Sequence, residues 1–439
     1  MKHLTKREAV LLSAFAANPS MSSETGIGWQ FIKATIMAVS DSQIHVVAIM
    51  NQRSAVVVRE ELARLGLAER VTVVGIDMPA RLKWLLKPQL TRLEYLVWNS
   101  IAMKRVKELE SEFDFVLAHH VTFATEMFPT PITACSRQTY KVWGPVGSAG
   151  DPDVYRVGPA SVASRREEKL QRVRDVLVNI PMFFVGRRVD LVLAQNGRVS
   201  AAFEALNIDV EVFPNVVIKE DLQREIDSIA EGVDSDWSTD SHRPLRILAV
   251  GHLVARKRFE LGIAALTSDL LGNSSLHLIG RPLQGHPDYL PDLASSAGVQ
   301  ERVKFLGWLP RPEVLRCMAE CDVLFHPSGR EGASGVVGEA TAMGIPVVCF
   351  ENTGASSVLD DAGVPGIKID AGGRPSAEDL ATAIRAASVL PRPRSRVWDE
   401  RRFEALQSRL LAEATSRRSD NSSQITKSGR RRTLFGLLS

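Results

Sequence analysis

His326–Gly344 reads HPSGREGASGVVGEATAMG. The residues just before it, Cys321–Phe325, form a short apolar run of strand type, and a helical pattern begins near Ser334 or Gly335. The stretch therefore predicts a strand, a loop rich in Gly and Ser, and a helix. A helix start leaves N–H groups unpaired and carries partial positive charge, which suits a diphosphate. Gly332 and Gly335 let backbone approach a ligand closely. Glu331 lies in the loop and Glu339 inside the helix. Carboxylates are strong acceptors for sugar hydroxyls. Two of them flanking a helix start can hold two hydroxyl-bearing rings with phosphates between, although two Glu taken alone read as solvated charges.

Outward from this stretch, short apolar runs alternate with longer amphipathic ones, the pattern of βα units and parallel sheets. Strands are expected at Ala9–Phe15, Ile44–Ala48, Val71–Val74, Phe115–Leu117 and Leu191–Ala194, then at Arg246–Val250, Ser275–Ile279, Val303–Phe305, Val323–Phe325 and Pro346–Phe350. A polar, acidic stretch between residues 218 and 243 divides the two series. The expected organisation is an N-terminal Rossmann-like domain over 1–218, a linker over 219–243, a C-terminal Rossmann-like domain over 244–392, a charged helix over 393–415 and a basic disordered tail over 416–439. Two such domains facing across a cleft place ligands at the carboxyl ends of their strands.

Composition narrows the function classes. With 54 Lys+Arg against 51 Asp+Glu among 439 residues, the net charge of +3 argues against a dedicated nucleic-acid binder. Cys135, Cys317, Cys321 and Cys349 make no CxxC pair, which argues against a zinc ribbon and for small buried residues in a reducing cytoplasm. Val10–Ala17 reads as a buried first strand rather than as part of a cleaved signal, and no run of 18 apolar residues suggests a spanning helix. Asp151-Pro-Asp153 and Asp234-Ser-Asp236 mimic a D-x-D metal motif but lie in loop-like or linker sequence, so no metal is expected. Ala80–Lys107 and Arg165–Arg188 are basic and amphipathic, which fits contact with an anionic membrane surface as well as core helices with snorkelling Lys and Arg.

Several segments, in order, resemble retaining family 4 glycosyltransferases. EGASGVVGE (331–339) resembles the family's E-x7-E motif, and EATAMGIPVV (339–348) its Glu-Ala-x-Ala-x-Gly-x-Pro-Val-Val. ILAVGHLVARK (247–257) resembles the Gly-Arg-Leu-x-x-x-Lys segment that opens the second domain, and VKFLGWLPRPEV (303–314) the segment near the nucleotide base. The resemblance is strong over roughly 245–370 and weaker over the first half. It implies a GT-B fold and a bacterial polysaccharide-type enzyme that moves a sugar, with retention, from a nucleoside-diphosphate sugar (UDP or GDP) to a carbohydrate or lipid-linked acceptor.

By the same resemblance Glu339 meets the donor ribose, Glu331 the donor sugar, and Lys257 the diphosphate. Gly332, Ser334 and Gly335 line the donor. The chain departs from the family at His252, where Arg is usual, at Arg258, where Gly follows the Lys, and at Ala333-Ser334 after Glu-Gly. Arg256, Arg258 and Arg281 are candidates to replace the missing Arg. In the first half, Ser20–Trp29, SMSSETGIGW, resembles a glycine loop of some members, with Gly26 and Gly28 bending under the donor phosphates. Phe115–Thr122, FVLAHHVT, puts His119 and His120 at a strand end, and the family's His near the donor sugar favours His120 as catalytic. Trp143–Ser148, WGPVGS, reads as a loop whose Trp143 and Gly147 line the acceptor side. With no carboxylate nucleophile evident, front-face displacement is expected, without cofactor. The expected place is the cytoplasm, at the inner face of the membrane. The alternatives are a non-catalytic nucleotide-sugar-binding partner and a nucleotide-sugar epimerase.

Overall fold

A computed structural model describes residues 6–21, 24–147, 150–158, 162–232, 243–283 and 289–435. Among them thirteen strands form two sheets. The first holds β1 (Arg7–Ala14), β2 (His45–Asn51), β3 (Val71–Ile76), β4 (Phe113–Thr122), β5 (Tyr140–Val146), β6 (Leu191–Ala194) and β7 (Val210–Val212) in the order β3-β2-β1-β4-β5-β6-β7. The second holds β8 (Arg246–Val250), β9 (Ser275–Ile279), β10 (Val303–Gly307), β11 (Val323–His326), β12 (Val347–Phe350) and β13 (Gly366–Ile369) in the order β10-β9-β8-β11-β12-β13. All five pairings of the second sheet are parallel, as are those joining β1 to β5 in the first. Runs such as HVVAIMN in β2 and VVCF in β12 are buried at every position. That is what a parallel sheet covered on both faces demands of its strands.

Both sheets follow doubly wound order. The direction of winding reverses between β1 and β4 in one and between β8 and β11 in the other, and crevices for ligands open at such points beyond the strand ends. In the second sheet this brings together the segments that follow β8 and β11, residues 251–258 and 327–335. The covering helices are α1 (Glu24–Ala38), α2 (Gln52–Arg64), α3 (Thr91–Leu109), α4 (Val162–Leu177), α5 (Asn179–Gly186), α6 (Gly197–Glu204), α7 (Glu220–Glu231), α8 (Glu260–Ala265), α9 (Leu290–Ser296), α10 (Arg311–Ala319), α11 (Gly335–Met343), α12 (Gly354–Ala362), α13 (Ala377–Ser388) and α14 (Arg401–Phe435).

The chain divides into two compact units whose limits differ from the expected domains. One comprises Met1–Pro145, Pro181–Leu193 and Glu400–Ser439, the other Val146–Ile180 and Ala194–Asp399. The expected linker over 219–243 is helix α7 for its first half. Its Ile226 is buried beside Val216, Ile218 and Trp398 in the core that also holds Leu248, Leu324 and Val347. Residues 233–242, with Asp234 and Asp236, lie outside the described residues. The tail expected to be disordered from 416 continues α14 instead. Arg417 pairs with Glu413 one turn earlier, and Arg418 reaches Asp114 of β4. Near its start, α14 packs Phe403 edge-on against Phe31 of α1 at 4.9 Å. Within the first unit, Gln407 Nε2 donates to His119 Nδ1 at 2.9 Å.

Candidate functional site

The second unit gathers the charged residues singled out by the sequence. The loop from β11 to α11 carries Glu331, whose carboxylate accepts from Lys257 Nζ at 2.5 Å, Arg256 at 2.9 Å and the Ser328 hydroxyl at 2.8 Å. Burial alone raises a carboxyl pKa, but Lys257 and Arg256 outweigh it and bring Glu331 down to about 2. Glu331 is thus an anion held between two cations. Lys257 follows β8, and its stem crosses Gly251: a Cβ there would lie 3.0 Å from Lys257 Cε, at a φ of +144°. His326 ends β11 next to this group. Burial foremost, then Lys257, pushes its pKa to about 3, so the ring is neutral at ordinary pH, and Nε2 faces the Ser334 hydroxyl at 3.3 Å.

The start of α11 carries no side-chain cap. Ser334 occupies the N-cap position, and the first-turn N–H groups are left for another acceptor. Gly335 is exposed, and a Cβ on it would meet nothing within 4 Å. One turn in, Glu339 is 9% exposed and pairs with Arg311 at the start of α10. Burial raises the Glu339 pKa, and Arg311 opposes it. Sequence reasoning missed Arg311, because nothing in its own neighbourhood points to Glu339.

The remaining candidates are placed differently from expectation. Arg258 is not a spare cation for a ligand. It is fully buried, pairs with Glu260 at 2.6 Å and donates to the carbonyls of Val157 (2.6 Å) and Val154. His252 is exposed on the segment after β8, and Arg281 is exposed after β9. Asp151 caps a short 3-10 turn by accepting from Asp153 N at 3.0 Å. Gly147, expected on the acceptor side, lies in the second unit beside the loop between β11 and α11: a Cβ on Gly332 would sit 3.3 Å from Gly147 O.

In the first unit the Ser20–Trp29 loop is a correction. Helix α1 already begins at Glu24, so Gly26 and Gly28 are helical and buried. A Cβ on Gly26 would lie 2.1 Å from Met21 O, and one on Gly28 2.6 Å from Ala16 O. Both glycines serve close packing of the preceding turn on the helix. His120 is also a correction: it is fully buried, with Nδ1 at 2.9 Å from Ser13 Oγ and Nε2 at 3.1 Å from Tyr95 Oη. Burial, then His119, lowers its pKa to about 3, so it is a neutral core residue with both nitrogens engaged. Trp143 is equally buried in β5, which replaces the expected loop.

The part of the chain that holds Lys257, Glu331 and Glu339 also resembles a known family. Residues 236–401 match the family model of Glycosyl transferases group 1. Lipopolysaccharide glucosyltransferase WaaG of Escherichia coli (strain K12) is 34% identical over 119 residues, 26% of this chain and 30% of that protein. Lipopolysaccharide core biosynthesis glycosyltransferase LpsE of Rhizobium meliloti (strain 1021) is 33% identical over 138 residues, 31% of this chain and 38% of that protein. The chain thus spans about a third of the length of these curated relatives, 30% and 38%. Among solved structures, the lipopolysaccharide outer core galactosyltransferase WaaB is similar with a TM-score of 0.56 at 13% identity, covering 94% of this chain and 99% of that one. The sucrose-phosphate synthase of Thermosynechococcus elongatus is similar with a TM-score of 0.52 at 15% identity, covering 98% and 100%. The fold is GT-B, two Rossmann-like α/β sheets in one chain.

Proposed function

We propose that this protein is a retaining glycosyltransferase of polysaccharide or glycoconjugate synthesis, taking a hexose from UDP or GDP to a hydroxyl of a carbohydrate or lipid-linked acceptor. One observation carries the reading: an ionised, partly buried Glu331 flanked by Lys257 and Arg256 stands before the uncapped start of α11, with Glu339 one turn further on. Phosphates fit the helix start, the ribose hydroxyls fit Glu339, and the sugar hydroxyls fit Glu331. The bond from the anomeric carbon to the diphosphate oxygen breaks, that oxygen leaving with the nucleoside diphosphate, as the acceptor oxygen bonds to the same face. The acceptor proton passes to the leaving diphosphate. Lys257 and the helix start stabilise the charge that develops there. No metal and no cofactor take part in this scheme, and turnover is expected to withstand EDTA.

His252, where the resemblance expects Arg, favours a second reading: a nucleotide-sugar binder without turnover that serves a partner enzyme. Thermal shift against a panel of nucleotide-sugars, followed by transfer assays across acceptors, separates the two. A specific donor raises apparent stability by mass action, and Glu339→Ala is expected to abolish that shift. Binding without transfer on any acceptor, unchanged by His252→Arg, selects the second reading. No shift with any nucleotide-sugar defeats both, and conversion of donor without acceptor points to an epimerase. The working place proposed for the enzyme is the cytoplasmic face of an anionic membrane. The exposed apolar residues Leu170, Val173, Val176, Leu177 and Ile180, with Arg166 and Lys169 near them on α4, support contact with lipid.

A further inference from the structure

The loop that carries Glu331 is anchored by a residue far from it in sequence. Asn196 directly precedes α6 and is fully buried. Its Oδ1 accepts from Val199 N at 3.0 Å and caps α6. Its Nδ2 donates to two carbonyls, those of Glu331 at 3.2 Å and Gly332 at 3.1 Å. Both ends of the amide are thus in use. Around the same two carbonyls the packing leaves no slack. A Cβ on Gly354, at the start of α12, would lie 2.2 Å from Gly332 O and 2.7 Å from Glu331 O. A Cβ on Gly332 would lie 1.8 Å from Gln195 Oε1. On the other side of the loop, Asp151 N donates to Gly329 O at 2.8 Å.

In a planar trans peptide the C=O and the following N–H point in opposite directions. Tying the carbonyls of Glu331 and Gly332 to one amide therefore turns the N–H groups of Gly332 and Ala333 away from it. We propose that Asn196 is a positioning residue for sugar transfer: it sets the peptide planes of the loop between β11 and α11, and with them the aim of the Glu331 carboxylate. The inference rests on the glycosyltransferase reading above. Asn196 touches no reacting atom and acts through the loop.

A helix cap and a loop anchor are separable by substitution. Asn196→Ser keeps an N-cap oxygen for α6 but removes both donors to the loop. Asn196→Asp also keeps the cap and turns a carboxylate toward two carbonyl oxygens. For Asn196→Ser the expected result is a folded protein whose melting temperature is lowered by about a few degrees. Amide exchange across residues 328–335 speeds up about tenfold or more, and kcat falls about ten- to a hundredfold with acceptor KM unchanged, the scale of two lost hydrogen bonds. Asn196→Asp is expected to lose more kcat than Asn196→Ser. Exchange at 328–335 equal to the parent's overturns the anchoring, and faster exchange with unchanged kcat overturns its role in transfer. A parent protein that transfers nothing sinks the functional reading and this role together, while one that transfers normally beside an equally active Asn196→Ser sinks the inference alone.

Discussion

Arg258 adopts φ +54°, ψ +34°, the left-handed region where a side chain costs about 1–2 kcal/mol and glycine costs almost nothing. Where the resemblance expects Gly after the Lys, this chain fills the position with a guanidinium bonded to the carbonyls of Val154 and Val157. The strain is offset by hydrogen bonds to a charged group, each of about 1.5–3 kcal/mol, so the turn that presents Lys257 survives the exchange. Glu339 shows the reverse situation, a carboxyl whose environment resists ionisation. Its folded pKa is raised by burial against the pull of Arg311. Ionised Glu339 therefore subtracts from stability as pH rises through that range, and its power to accept hydroxyls is lost as pH falls through it. Removing the opposing charge with Arg311→Gln raises the pKa further. The acid limb of donor affinity is expected to move to higher pH in this variant, as read from nucleotide-sugar Kd against pH. A limb that stays in place would show that Arg311 does not govern Glu339. Neither this pair nor the Asn196 anchor was legible in the sequence, because each partner lies in a segment with its own sufficient local explanation.

At the level of elements, the strands announced themselves wherever an apolar run was unbroken. Leu191–Ala194, Arg246–Val250 and Ser275–Ile279 stand where the pattern put them. Strand β5 did not, because Gly144 and Pro145 inside it carry the chemistry of a turn, and burial among its neighbours overrides that local preference. Strand β13 is short and half-buried, so it offered little alternation. Helix α7 was hidden by its charges, although Leu222, Ile226 and Ile229 fall at helical spacing. Helix α4 turns out to face two ways. Gln171 is buried, whereas Leu170 is 51% and Val176 70% exposed. Full-length protein is expected to float with vesicles of phosphatidylglycerol and phosphatidylcholine. Val173→Asp with Leu177→Asp is expected to weaken this by on the order of tenfold or more at unchanged melting temperature, since each apolar side chain buried in lipid contributes about 1.5–3 kcal/mol. Flotation indifferent to these substitutions, or to anionic lipid, rejects the membrane contact.

For the whole molecule, the order of apolar runs in the sequence suggests continuous domains, whereas each compact unit is assembled from separate parts of the chain. The first unit takes β1 from one part of the chain and α14 from another more than 380 positions away. Periodicity identifies a helix but not the unit it joins, which depends on which apolar faces remain to be covered. Phe403, Leu406 and Leu410 of α14 are buried, and with Gln407 they lie in the part of the helix that covers Phe31 and His119. Ending the chain at Asp399 is expected to lower the stability of the first unit by on the order of 5 kcal/mol, the burial of those three apolar side chains. The loss should appear as a lower-temperature transition in calorimetry, with Trp84 and Trp98 reporting it by fluorescence. A melting profile identical to that of the full chain would show that α14 is dispensable to the first unit.

A ribosome makes β1 early and α14 late. Throughout the intervening synthesis, the patch around Phe31 and His119 waits uncovered, while residues 146–180 and 194–399 together have all they need to condense. The part translated first therefore matures last, and a nascent chain stalled before codon 403 would present that bare patch to chaperones.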